Sequence, residues 1–99
     1  MDIKINEVYT FKVTSGEEVI SKVSSISDKY IELSDPLSVA PGPQGMGLMQ
    51  SIFTAEPGSP VQLNINTVTM YTVTEENIKV KYIETTTGLK VPSKKIVLG

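Results

Sequence analysis

From Val8 to Thr14 apolar and polar residues alternate. Tyr9, Phe11 and Val13 share one face, and Thr10, Lys12 and Thr14 the other. Period two with β-branched and aromatic side chains predicts a half-buried strand. Ser15-Gly16-Glu17 is a tight turn, and Glu18 to Ile26 is a second strand. On it Val19 and Val23 share a face with small Ser21 and Ser25 between them, while Ile20, Lys22, Ser24 and Ile26 lie opposite. Ser27-Asp28-Lys29 is a turn, because Ser and Asp side chains bond nearby backbone. A third strand starts at Tyr30–Leu33 and continues through Leu37 and Val39. Pro36 has no N–H, so a bulge or an edge position is expected at Asp35-Pro36.

The stretch Ala40 to Gln50 is rich in Gly and Pro, which predicts a loop or the start of a strand after one. A fourth strand is expected over Leu48–Ala55. Glu56-Pro57-Gly58-Ser59-Pro60 breaks the pattern again. Val61, Leu63 and Ile65 alternate with Gln62, Asn64 and Asn66, and then the apolar phase slips by one, to Val68 and Met70. Such a slip predicts a sharp bend near Asn66-Thr67 and a fifth strand over Val68–Val73. Residues 75–86 carry two patterns. Ile78, Val80 and Tyr82 alternate as in a strand. Thr74 followed by Glu75 and Glu76 is also a helix start, with Gly88 as its C-terminal stop; this favours helix. Val91 to Leu98 is short and lysine-bearing.

Ninety-nine residues and 10.8 kDa make one domain, 1–99, with 75–99 as a C-terminal extension. Such a chain buries roughly 65% of its unfolded surface, and oligomerisation is one way for it to bury more. The net charge is −2, and all nine basic residues are Lys, with no His and no Cys. Arg is the residue of choice for bidentate recognition of phosphates and bases, so its absence counts against a nucleic-acid reader, although lysines still attract phosphate. Without His or Cys, most zinc chemistry and every Ser-His or Cys-His nucleophile are excluded. Glu17-Glu18 and Glu75-Glu76 are adjacent pairs whose members point to opposite faces of a strand. No catalytic residue, metal ligand or cofactor site is therefore expected, and the chain reads as a non-enzyme. No apolar run approaches membrane-spanning length and the N-terminus lacks a signal-peptide apolar core, so a cytoplasmic location is expected.

Short strands joined by turns suggest a small barrel. Within it, Gly16 through Asp35 resembles the first motif of the Sm-like (LSm) family. Gly16, Val19, Val23, Asp28, Leu33 and Asp35 occupy its places. The turn is about one residue longer than usual, and Ser21 stands where the family often has a second Gly. Asn66 to Thr74 resembles the short last strand of bacterial Hfq-type members. The order of "SGEEVISKV…SDPLSV", a Gly/Pro/Met segment, a β tail and a polar extension is similar to small Sm-like proteins of marine and T4-like bacteriophages. The resemblance covers roughly residues 8 to 74. It implies an all-β, five-stranded, strongly bent antiparallel barrel with a short C-terminal helix as the alternative for the tail. It also implies a homo-oligomeric ring of about five to seven subunits that binds single-stranded RNA. If the chain is of phage origin, its location is the host cytoplasm.

The motif departs from the family where uridine is held. Tyr30-Ile31 replaces the Asn after the turn, no Arg follows in the later loop, and Ile65-Asn66-Thr67 replaces the Tyr-Lys-His of Hfq-type members. The expected nucleic-acid contacts are therefore weak and carried by Asp28, Lys29, Tyr30, Asn64 and Asn66. Each has a plainer reading. Tyr30 is either a stacking platform at the pore or a core or interface aromatic. Asp28 either fixes a pore loop or caps turn amides. Asn64 and Asn66, spaced i, i+2, either read base edges or are solvated. Lys79, Lys81, Lys90, Lys94 and Lys95 are either a phosphate track or a solvated face. Met46, Met49 and Met70 read as adaptable packing. Against the RNA-binding ring stand a structural or protein-interaction ring of phage origin, and a lone SH3-like barrel that binds a peptide.

Overall fold

The computed structural model describes residues 1–88. Strands β1 (Val8–Val13), β2 (Glu18–Ile26), β3 (Tyr30–Gly42) and β4 (Gly45–Gln50) follow one another. Then come β5 (Val61–Asn64), a 3-10 turn over Ile65–Thr67, β6 (Val68–Val73) and helix α1 (Glu76–Thr87). The strands form one sheet of six in the order β4-β3-β2-β1-β6, with β5 also paired to β3. All pairs are antiparallel. β5 and β6 are not paired, so the sheet is unclosed among the described residues.

The long β3 organises the sheet. Its first half, Tyr30 to Leu33, pairs with β5, and its second half, Leu37 to Gly42, pairs with β4. The change falls at Asp35-Pro36, where the sequence calls for a bulge. Asp35 takes a left-handed φ of 55°, and the β2–β3 register shifts between Ile20 and Lys22. A bulged strand bends and twists more strongly than a regular one, which lets one strand serve two partners.

Three expectations need correction. The sheet has six strands rather than five, because the Gly/Pro stretch read as a loop is a hairpin. Gly42 and Gly45 face each other across Pro43-Gln44, and Gly45 has a φ of 104°, which a side chain would oppose. The fourth strand accordingly runs over Gly45–Gln50 and not over Leu48–Ala55, whose second half is turn. The methionines do not pack: Met46 and Met70 are 69% and 67% exposed, and Met49 is exposed as well. β1, β2 and β6 form within one residue of where the alternation places them. The tail resolves as helix, capped by the Glu75 carboxylate on the amides of Asn77 and Ile78 rather than by Thr74. Thr74 is buried and bonds Thr10 through their hydroxyls at 2.9 Å. The expected terminal segment Val91–Leu98 lies outside the described residues.

The core has two parts, because β2 is apolar on both faces. Tyr9, Phe11, Val19, Val23, Ile31 and Leu33 pack on one side. Val8, Ile20, Leu37 and Tyr82 pack on the other, joined by Val39 and Leu48. Ile20, which the alternation assigns to the face opposite the main core, is thus buried under α1. Phe11 is fully buried, with its ring 6.3 Å from that of Tyr9 and 6.5 Å from that of Tyr71. Ring pairs at this spacing add to the burial term.

Candidate nucleic-acid interface

The five residues singled out from the sequence meet at one corner of the sheet. Asp28, Lys29 and Tyr30 form the β2–β3 turn and the start of β3. Tyr30 is the register partner of Asn64 across β3–β5, and the Lys29 carbonyl accepts a bond from the Ile65 amide at 2.9 Å. The turn after β2 and the turn after β5 are therefore tied together by backbone. All five side chains are exposed to solvent, Tyr30 at 44%.

The turn is held by Ser27. Its hydroxyl accepts from the Tyr30 amide at 3.1 Å and from the Lys29 amide at 3.4 Å, and it donates to the Tyr30 carbonyl at 3.3 Å. The Ser27 amide donates to the same carbonyl at 2.8 Å. The capping role expected of Asp28 thus belongs to its neighbour, whose shorter side chain reaches both amides. This leaves the Asp28 carboxylate pointing at no amide of its turn. The tyrosine is not a core residue either: position 30 opens β3 on the exposed side, while Ile31 is buried.

At the second turn Asn64 has a structural task. Its side-chain oxygen accepts from the Asn66 amide at 2.9 Å, and its carbonyl accepts from the Thr67 hydroxyl at 2.7 Å. These bonds start the 3-10 turn, so Asn66 does not continue the strand. The inference that Asn64 and Asn66 face one way by strand spacing is corrected, because the chain leaves the extended state between them. Asn64 spends its oxygen on the cap, and the exposed Asn66 side chain makes no cap.

The chemistry available at this corner is one cation, one anion, one phenol ring and two amides. The ring can stack on a base and Lys29 can contact a phosphate. Lys79 and Lys81 lie on α1, which sits on the sheet through Tyr82. Lys90, Lys94 and Lys95 lie outside the described residues. Elsewhere, Ser38 is buried, donates to the Glu17 carboxylate and bonds Ser51 at 2.8 Å. With no imidazole in the chain, this pair has no base of the Ser-His kind. Among the described residues no group of three carboxylates is gathered for a metal. No described helix is long and apolar enough to cross a membrane.

The sequence reading also missed a groove of about 530 Å³ between the start of α1 and the β3–β4 hairpin. Ile20, Val39, Leu48, Val73 and Ile78 line it, with Glu18 and Lys81 at its rim. It joins residues from six elements, and the only hint of it in the sequence is apolar Ile20 on the face of the second strand opposite Val19 and Val23. No protein-family model matches the chain, and no curated protein resembles it significantly.

Proposed function

We propose that this chain is a non-enzymatic ring protein of Sm-like topology that binds single-stranded nucleic acid weakly through one corner of each subunit. The observation that carries the reading is the joining of the β2–β3 turn to the turn between β5 and β6. Tyr30 pairs with Asn64 and Lys29 with Ile65 there, so residues 34 positions apart offer one surface. An antiparallel sheet in which β5, β3, β2, β1 and β6 follow one another in that order, with a 3-10 turn between β5 and β6, supports the topology. The β4 hairpin is an addition to the five-stranded pattern.

The outer edges of β5 and β6 remain unpaired among the described residues. Free edges invite pairing, and a closed ring of about five to seven copies removes them. β6 is one of the two edges anticipated from sequence; β5 replaces Leu48–Ala55 as the other, since that segment turns away after Gln50. In a ring, weak contacts at each corner act together and give avidity for a long strand.

A salt titration of labelled single-stranded RNA tests the binding. The expected result is sequence-tolerant binding at about 50 mM salt that collapses as salt rises, with a slope set by the number of lysine–phosphate contacts. Uridine-specific, sub-micromolar binding that survives high salt contradicts the weak-site reading. The absence of binding at low salt favours a structural or protein-interaction ring. The net charge of −2 and the exposed Phe53, Met46 and Met70 are what favour that second reading.

A further inference from the structure

The groove between α1 and the β3–β4 hairpin is an uncovered part of the second core. Helix α1 has a single buried side chain, Tyr82, whose hydroxyl accepts from the Lys22 amide at 3.0 Å. The groove lies beside the first two turns of the helix, at Glu75, Ile78 and Lys81. Ile20 on its floor is 2% exposed, whereas Val39 and Leu48 are half-buried. Met46, Val73 and Ile78 line it as well and are exposed to water. A space of about 530 Å³ falls within the usual size of small-molecule sites. Among the described residues its apolar lining is aliphatic or methionine, with no aromatic ring.

Glu18, Glu75 and Lys81 are the ionisable groups of the lining, and both acids are already answered. The Glu75 carboxylate accepts from the Asn77 and Ile78 amides at 3.1 and 3.2 Å, where it also meets the positive end of the helix. The Glu18 carboxylate lies 3.9 Å from the Lys12 ammonium. Lys81 has no carboxylate within ion-pair distance among the described residues. It follows Ile78 by three positions, a spacing that puts both side chains on one helix face. The groove therefore offers aliphatic surface and one uncompensated ammonium beside it.

We infer that this groove binds a small amphipathic anion, an aliphatic chain ending in one carboxylate. The chain lies against Ile20, Val39, Leu48 and Ile78, and the carboxylate meets the Lys81 ammonium. The lining favours a chain over a ring, because no aromatic face is there to stack on and Met46 adapts its shape to a flexible partner. The single cation favours a monoanion, since a second negative charge would stand unmatched near Glu18 and Glu75. A lysine stem lies along apolar surface while its ammonium stays in water, so the carboxylate keeps part of its hydration. The inference rests on one subunit and is independent of the proposed ring and of nucleic acid.

The test is a titration of the full chain with octanoate, octanol and octyltrimethylammonium at millimolar concentration, read by NMR on Ile, Leu and Val methyl groups. Octanoate is expected to shift the methyls of Ile20, Val39, Leu48, Val73 and Ile78 to saturation. It should bind more tightly than octanol, and octyltrimethylammonium should bind most weakly. Hexanoate should bind on the order of tenfold more weakly than octanoate, because each buried CH₂ contributes to affinity. Lys81→Gln should bring octanoate to the affinity of octanol and leave octanol unchanged, whereas Lys79→Gln, outside the lining, leaves both unchanged. The inference is overturned if the three amphiphiles bind alike, or if Lys79→Gln lowers octanoate affinity as much as Lys81→Gln does. It is equally overturned if the shifts fall on Leu37, Ile52 and Val61 instead, or if the groove methyls do not respond, as when a second copy covers them.

Discussion

The hydroxyl of Tyr82 accepts a hydrogen bond from the amide of Lys22 at 3.0 Å, across 60 residues of chain. It also donates to the Ser34 carbonyl at 2.5 Å. Both partners stand at the β2–β3 bulge, where the regular ladder is interrupted. The Ser21 hydroxyl adds a second bond to the Ser34 carbonyl, at 3.0 Å. A bulge leaves backbone groups without their strand partners, and buried unpaired amides are costly. Tyr82 thus repairs the sheet at the point that lets β3 bend, and in doing so anchors α1.

Tyr82→Phe keeps the ring in place and removes the hydroxyl. The Lys22 amide loses its partner, whereas the Ser34 carbonyl keeps Ser21. A loss of about 1–3 kcal/mol of folding stability is expected, with faster hydrogen exchange at Lys22. Urea denaturation of the two proteins checks the first, and exchange mass spectrometry the second. Unchanged stability and exchange would remove Tyr82 from its role at the bulge.

Burial pushes the Tyr82 phenol above its ordinary value, against the opposing pull of the Lys22 amide. A raised pKa in the folded state means that folding disfavours the ionised form. The stabilising contribution is therefore complete below the unfolded phenol value of about 10 and is lost as pH rises through the folded value. Wild-type stability should fall above about pH 10 more steeply than that of Tyr82→Phe. Parallel curves for the two proteins between neutrality and alkaline pH would contradict this.

Phe11 and Phe53 carry the same side chain in opposite settings. Phe11 is 0% exposed between Tyr9 and Tyr71, and Phe53 is 71% exposed. Phe11→Ala should cost about 3–5 kcal/mol through the transfer and cavity terms. Phe53→Ala should stay within about 0.5 kcal/mol for the isolated subunit. Thermal unfolding at matched concentrations checks both. A concentration-dependent loss for Phe53→Ala would instead place that ring in a contact between copies.

Asn64→Ala removes the side-chain oxygen that caps the 3-10 turn, and a cost of about 1 kcal/mol is expected. Asn64→Asp keeps an acceptor and should restore most of that stability while adding negative charge at the proposed interface. If nucleic acid passes this corner, Asn64→Asp weakens RNA binding even though the fold is kept. Binding equal to wild type at low salt would take Asn64 out of the interface.

Legibility followed the range of the interactions. The alternation in Val8–Val13 and Glu18–Ile26 is a local property and placed both strands. The phase slip after Thr67 marked the turn that divides β5 from β6. Ala40 to Gln50 misled because Gly and Pro signal loops as readily as hairpin turns, and only the pairing of Gly42 with Gly45 distinguishes them. The site corner was readable as two separate turns. That they meet depends on the Tyr30–Asn64 pairing, which no local pattern encodes. Ser27 and Asp28 compete for the same amides, and geometry decided between them. Tyr82 was out of reach altogether, since its partners lie 48 and 60 residues upstream and its spacing suits helix and strand alike.

Tyr30 offers the most specific probe of nucleic-acid contact. With 44% of its surface exposed beside Lys29, its ring is available to a base. Tyr30→Ala should reduce affinity for single-stranded RNA by about 1–3 kcal/mol per stacked base with little effect on stability. Lys29→Ala should instead lower the slope of log affinity against log salt, by about one unit for each phosphate that is no longer neutralised. Equal affinities for all three proteins in filter binding or fluorescence anisotropy would move any binding away from this corner.

The ring is the claim on which the rest of the functional account turns, and sedimentation equilibrium of the native chain at micromolar concentration tests it most directly. The account predicts a single species whose mass is about five to seven times the 10.8 kDa of the chain, unchanged on dilution and reduced by Thr69→Pro, which interrupts pairing along β6. A mass of 10.8 kDa throughout the concentration range would contradict it.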